Sequence, residues 1–101
     1  MTNLHNGQID QASRAAAAIL AVHRGYSPKQ IGSGLNAVLM VDLNFSATSR
    51  RRWERYSAAC LGNGKAMTNR RWAEYPEAIR HAAYALADRA EETISRWGTL
   101  A

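Results

Sequence analysis

Residues 76–98 read PEAIRHAAYALADRAEETISRWG, and this stretch decides the fold. Proline suits the first position of a helix, where its missing N–H would have no partner in any case and its φ is already set. Behind it Ile79, Ala83, Leu86, Ala90, Ile94 and Trp97 step by 4, 3, 4, 4 and 3 residues, an apolar stripe at helical spacing that stops at Gly98. Glu77 with His81, and Glu92 with Arg96, stand at i,i+4 on the opposite side, where unlike charges support a helix. The same stripe is the candidate face for a second copy, giving a homodimer through the Ile79–Trp97 helix. Elsewhere alanine dominates the apolar residues while Val, Ile and Phe are scarce, a balance that favours helices over sheet.

Working towards the N-terminus, Ser27-Pro28-Lys29-Gln30 carries a complete helix start. Ser27 is the cap, Pro28 the first helical residue and Gln30 the reciprocal partner three positions on. The helix it opens, 28–41, places Ile31, Leu35, Val38, Leu39 and Asp42 along one side. Gly32 and Gly34 oppose it at about 1 kcal/mol each relative to alanine, so a strand over Ala37–Leu43 stands as the alternative. An earlier helix is predicted from Gln8 to Arg24, with Ile9, Ala12, Ala16, Ile19, Leu20 and His23 on its stripe and Gly25 as its stop. Residues 1–7 are polar and expected to fray.

A third helix is predicted from Ala47 to Leu61, with Asn44, Ser46 or Thr48 as its cap and Gly62-Asn63-Gly64 as its end. A short helical turn capped by Thr68 or Asn69 follows, broken at Tyr75-Pro76 because a residue before proline avoids the α region. The expectation is one all-α domain over 1–101, a small bundle of four to five helices. A helix-turn-helix-like arrangement, with 28–41 as support and 47–61 as reader, is the variant to test. Its connector, Asp42 to Ser46, is longer than a tight turn of three or four residues.

The chain has 101 residues, and a domain of that size buries only about 60–65% of its unfolded surface, which leaves room for oligomerisation. Its net charge of +5 is unevenly placed. Residues 1–49 hold three Lys/Arg against two acids, 50–75 seven against two, and 76–101 three against four. The excess therefore sits in the middle, and a localised basic block points to phosphate backbones, an acidic protein surface or anionic lipid. Cys60 is the single cysteine, which excludes an internal disulfide and fits a reducing, cytoplasmic setting. Ala15–Val22 is apolar but follows Asp10 and leads into His23-Arg24-Gly25-Tyr26, so it reads neither as a signal peptide nor as a membrane span.

Several short motifs are weighed and set aside. Gly32-Ser33-Gly34-Leu35-Asn36-Ala37 matches G-x-G-x-x-A, yet that fingerprint works only as a turn leaving a parallel strand, and here a helix start precedes it. Gly64-Lys65 lacks the remainder of a phosphate loop. His5, His23 and His81 are scattered, and no set of His, Cys, Asp and Glu has metal-ligand spacing. Cys60 has no histidine beside it and reads as a small buried hydrophobe. No cofactor, metal or enzymatic chemistry is expected.

One pattern remains, and it occurs twice. Arg51-Arg52-Trp53-Glu54-Arg55-Tyr56 and Arg70-Arg71-Trp72-Ala73-Glu74-Tyr75 both read Arg-Arg-Trp-x-x-Tyr. The tryptophans serve best as core anchors in a domain poor in large side chains, with the arginines around them. Arg50, Arg51, Arg52, Arg55, Lys65, Arg70 and Arg71, with Tyr56 and Tyr75, form the candidate interaction surface. The first expectation is a small non-enzymatic, regulatory nucleic-acid-binding protein, with DNA favoured over RNA. The alternative is an antidefence inhibitor of the phage or plasmid type, anti-CRISPR proteins among them, which would block an acidic partner protein with the same surface and use Trp53, Tyr56, Trp72 and Tyr75 as hot spots. A membrane-surface role fits worst, because the basic block and the strongest apolar stripe lie on different helices.

Overall fold

The computed structural model describes residues 5–63 and 74–97. They form an all-α bundle of four helices, with no strand among the described residues: α1 (Asn6–Ala18), α2 (Pro28–Ala37), α3 (Arg50–Asn63) and α4 (Glu77–Trp97). α1 packs chiefly on α4, and α2 lies between α3 and α4.

α1 starts earlier than its stripe suggests. His5 caps it: the Gln8 backbone N–H donates to His5 Nδ1 at 3.4 Å, and the His5 N–H donates to Gln8 Oε1 at 3.2 Å. Asn6 and Gly7, expected to fray, are therefore its first two residues. The four alanines 15–18 are all buried, and their small side chains let the neighbouring helices approach closely. Ser13 is buried on the same helix and remains satisfied by donating to the Ile9 carbonyl at 2.7 Å. His23, placed on the predicted stripe, is exposed.

The change at His23 comes from how the helix ends. α1 runs into a single π turn, Ile19–His23, in which the Arg24 N–H donates to the Ile19 carbonyl at 3.0 Å. Widening the helix to five residues per hydrogen bond shifts the side chains that follow out of the α register. Gly25 then turns left-handed at φ 75°, and the Tyr26 N–H closes back on Leu20 at 3.0 Å. α2 repeats the device. It passes into a π turn over Val38–Asp42, Asn44 takes the left-handed position at φ 50°, and the Phe45 N–H donates to Leu39 at 2.8 Å. The strand alternative for Ala37–Leu43 is thereby overturned, since the segment is helical through Asp42.

The start of α2 is as the sequence predicts. Gln30 N–H donates to Ser27 Oγ at 3.2 Å and Ser27 N–H to Gln30 Oε1 at 3.0 Å, with Pro28 at the first helical position. Ile31, Leu35, Val38 and Leu39 are buried, while Asp42 stays exposed and pairs with Arg89 at 2.6 Å. The two glycines that lower helix propensity are contact points. A Cβ on Gly32 would lie 2.5 Å from Glu54 Cγ and 2.7 Å from the Arg50 carbonyl oxygen of α3. One on Gly34 would lie 3.0 Å from the Ala90 carbonyl oxygen and from Ile94 Cγ1 of α4. The segment that matched a dinucleotide fingerprint thus lies inside a helix, its glycines occupied by neighbouring helices.

α4 buries Ile79, Ala83, Leu86, Ala90 and Ile94 against its own chain, while Trp97 at the end of the stripe stays 42% exposed. The stripe expected as a homodimer face through the Ile79–Trp97 helix is thus, apart from Trp97, covered within the monomer. Glu92 and Arg96 pair at 3.5 Å, whereas Glu77 and His81 do not pair. The turn after α1 is latched to α4. Arg24 reaches Asp88 at 2.9 Å and Glu91 at 2.8 Å, and the Tyr26 hydroxyl donates to Glu91 at 2.8 Å. That hydrogen bond, with some burial, holds the Tyr26 hydroxyl above its ordinary pKa. Seven residues, Leu43–Ser49, join the π turn of α2 to α3, so the two helices pack as neighbours without the tight turn of a helix-turn-helix.

Candidate nucleic-acid interface

α3 is fixed from its first turn. Its cap is Ser49, whose Oγ accepts the Arg52 backbone N–H at 3.1 Å, one residue beyond the expected candidates. Thr48 accepts the Trp53 Nε1–H at 2.6 Å, and this bond lets the ring be fully buried without an orphaned donor. Tyr56 meets Trp53 edge to face, with centroids 6.4 Å apart and planes at 81°. Ser57 and Cys60 continue the buried side, so the helix's inner face is 53, 57 and 60.

Arg52 belongs to this anchoring set. Its guanidinium lies over the Trp53 ring, 4.6 Å from the centroid, and forms an ion pair with Asp10 of α1. Arg14 holds the other oxygen of the same carboxylate at 3.0 Å. Asp10 thus neutralises two arginines and ties α1 to α3.

The outward side of α3 differs. By helical spacing Arg51 and Arg55 point directly away from the Trp53 face; both are exposed and neither forms an ion pair with any described residue. Arg50 lies about 100° round the helix from Arg51, on the side of Gly32 of α2, exposed and only loosely paired with Glu54 at 3.8 Å. After Arg55 the outward positions hold Ala58, Ala59 and Gly62, all exposed. Tyr56 and Tyr75 are half-buried and pack against the core. Of the expected interaction residues, Arg51 and Arg55 share the outward face, Arg50 is exposed on the side next to α2, and Arg52, Tyr56 and Tyr75 are drawn inward. Lys65, Arg70, Arg71 and Trp72 lie outside the described residues.

Among the described residues, little neutralises that surface. Six of the eight acidic residues, Asp10, Asp42, Glu54, Asp88, Glu91 and Glu92, are already held in ion pairs, and only Glu54 is on α3. Local sequence gave no sign of the Asp10–Arg52 pair, whose partners lie 42 residues apart. A signal for the paired helix ends was present. Ile19-Leu20 and Val38-Leu39, Val22 and Val41, Gly25 and Asn44, and Tyr26 and Phe45 each stand 19 residues apart, the same offset as between Arg51-Arg52-Trp53 and Arg70-Arg71-Trp72.

Nucleophilic and metal chemistry find little support here. The Cys60 thiol is pushed above its ordinary pKa by burial, an effect its hydrogen bond with Tyr56 only partly offsets. A buried, protonated thiol is a poor nucleophile. Alkylation of Cys60 at pH 8 is accordingly expected to be at least about tenfold slower in the native protein than in denaturant, as timed with iodoacetamide and mass spectrometry. Equal rates would mean an open, reactive thiol. No group of three His, Cys, Asp or Glu among the described residues could hold a metal ion, and no described helix is long and apolar enough to cross a membrane. No protein-family model, curated protein or solved structure matches the chain.

Proposed function

We propose that this protein binds nucleic acid without catalysis, contacting the phosphate backbone through the outward face of α3. The observation that carries this reading is the pair Arg51 and Arg55, exposed on one helix face with no acidic partner among the described residues. Like charges one helical turn apart repel, and the repulsion is relieved when an anion takes up both. Phosphate is the anion that guanidinium forks match in geometry and charge.

The same geometry weighs against capture of a protein partner. Protein hot spots are built from accessible Trp and Tyr as well as Arg. Here Trp53 is fully buried and Tyr56 is packed on it, so among the described residues of α3 what faces outward is cationic and not aromatic.

The test is fluorescence anisotropy of a labelled 30-base-pair DNA at several salt concentrations. Binding is expected to weaken steeply with salt. The double variant R51A/R55A should shallow the slope of log affinity against log salt by up to about 2, one for each cation removed from the DNA's anionic surface. Because both side chains are exposed and unpaired, its stability should stay within about 0.5 kcal/mol of the parent. No binding by the parent at low salt would overturn the reading. An unchanged slope in the variant would remove α3 from the interface.

A further inference from the structure

The phosphate-binding reading leaves open which nucleic acid is held, and the shape of α3 narrows the choice. Single strands are bound on platforms of exposed aromatic rings on which successive bases stack. α3 carries two aromatic residues, but Trp53 is 0% exposed and Tyr56 stands edge-on against it. No described residue of this helix offers a ring to solvent on its outward face. What it offers is a narrow ridge. Arg51 and Arg55 are about 6 Å apart along the axis, and beyond them the ridge carries nothing larger than alanine: Ala58, Ala59 and Gly62.

Resting on the reading above, we propose that α3 enters the major groove of B-form DNA with this ridge, and that Arg51 and Arg55 reach base edges while Arg50 takes a flanking phosphate. A helix about 10–12 Å across fits a groove about 12 Å wide. The two arginines stand in the first two turns of α3, and base-reading residues of groove-bound helices lie towards the N-terminal end. Arginine matches O6 and N7 of guanine with two parallel hydrogen bonds, so guanine is the base that this ridge selects. The inner face can support such docking. The Arg50 backbone rests on Gly32 of α2, and Arg52 is tied to Asp10 of α1, so the helix is braced from two sides. A-form RNA is excluded by shape, since its major groove is deep and too narrow for side chains to read.

The experiment compares three labelled probes of one sequence with the full chain at low salt: duplex DNA, its single strand, and duplex RNA. A selection from a pool of randomised duplex DNA accompanies it. Duplex DNA is expected to bind at least about tenfold tighter than either alternative, and the selection to enrich guanine at defined positions. The variant R51K/R55K, which keeps the charge and loses the fork, is expected to retain the salt slope and lose the guanine preference. Equal or tighter binding of the single strand or of RNA, or a selection without base preference, would overturn this inference and leave phosphate binding standing. Failure to bind any of the three probes would overturn both.

Discussion

Replacing Trp53 by alanine is expected to remove about 3–5 kcal/mol of stability, the range for deleting a fully buried large aromatic. For a domain of this size that corresponds to a fall in Tm of about 15 °C or more. Three losses coincide. The ring fills the space beneath α3 and is 0% exposed, it carries the edge-to-face contact with Tyr56, and its Nε1–H anchors Thr48 just ahead of the helix cap. The cavity left behind cannot readily collapse, because the Arg52 guanidinium lies over the same ring and is held by Asp10. Thermal unfolding followed by circular dichroism measures the effect. A fall below about 5 °C would mean that Trp53 is not what holds α3 to the bundle. Trp53→Phe separates the contributions: it retains most of the burial and loses the 2.6 Å hydrogen bond, at a cost of about 1 kcal/mol.

The second large effect is expected at Gly32. Its substitution by valine places the branched side chain against the Arg50 carbonyl oxygen, 2.7 Å from where the Cβ alone would sit. Glu54 Cγ, at 2.5 Å, belongs to a flexible side chain and can swing away, but the carbonyl is backbone and can yield only if α3 moves. Overpacking of this kind costs about 3 kcal/mol, and the gain in helix propensity of a β-branched residue over glycine, a few tenths of a kcal/mol, does not offset it. Urea unfolding would report it. Gly62 supplies the control, because nothing lies within 4 Å of a Cβ built there. Gly62→Ala is expected to leave stability unchanged or raise it by up to about 1 kcal/mol. If both substitutions behaved alike, close approach of α2 and α3 would not be the reason for Gly32.

These two residues also mark what could and could not be read from the chain. The α4 stripe and the Ser27-Pro28-Gln30 cap are local patterns, and both appear as expected except for Trp97, which stays exposed. Trp53 was correctly read as core, because a domain so rich in alanine has few other side chains able to fill its interior. Gly32 and Gly34 were legible only as a local penalty. Their compensation comes from helices more than 15 residues away in sequence, which no window along the chain contains. Arg52 differs from its neighbours in kind: its charge matches Arg51 and Arg55, but a 100° rotation along the helix turns it toward Asp10 instead of solvent. Charge counts locate a basic surface, and the helical wheel decides which charges reach it. The π turns escaped because a hydrophobic stripe at 3.6-residue spacing cannot register one extra residue in a turn. His23, expected on the buried side, is exposed for that reason.

The latch from Arg24 and Tyr26 to Glu91 has a consequence for synthesis. Its partners are 65 and 67 residues apart, and the alanine face of α1 is covered by α4, which is synthesised after α1, α2 and α3. Until that helix emerges, α1 has neither its main packing surface nor the counter-ions for Arg24. α1, α2 and α3 all precede α4, and α2 can pack on α3 first, but α1 cannot be buried in its final place without α4. A nascent chain therefore carries its apolar alanine stripe exposed until α4 emerges, and the bundle closes only when that helix folds back on α1.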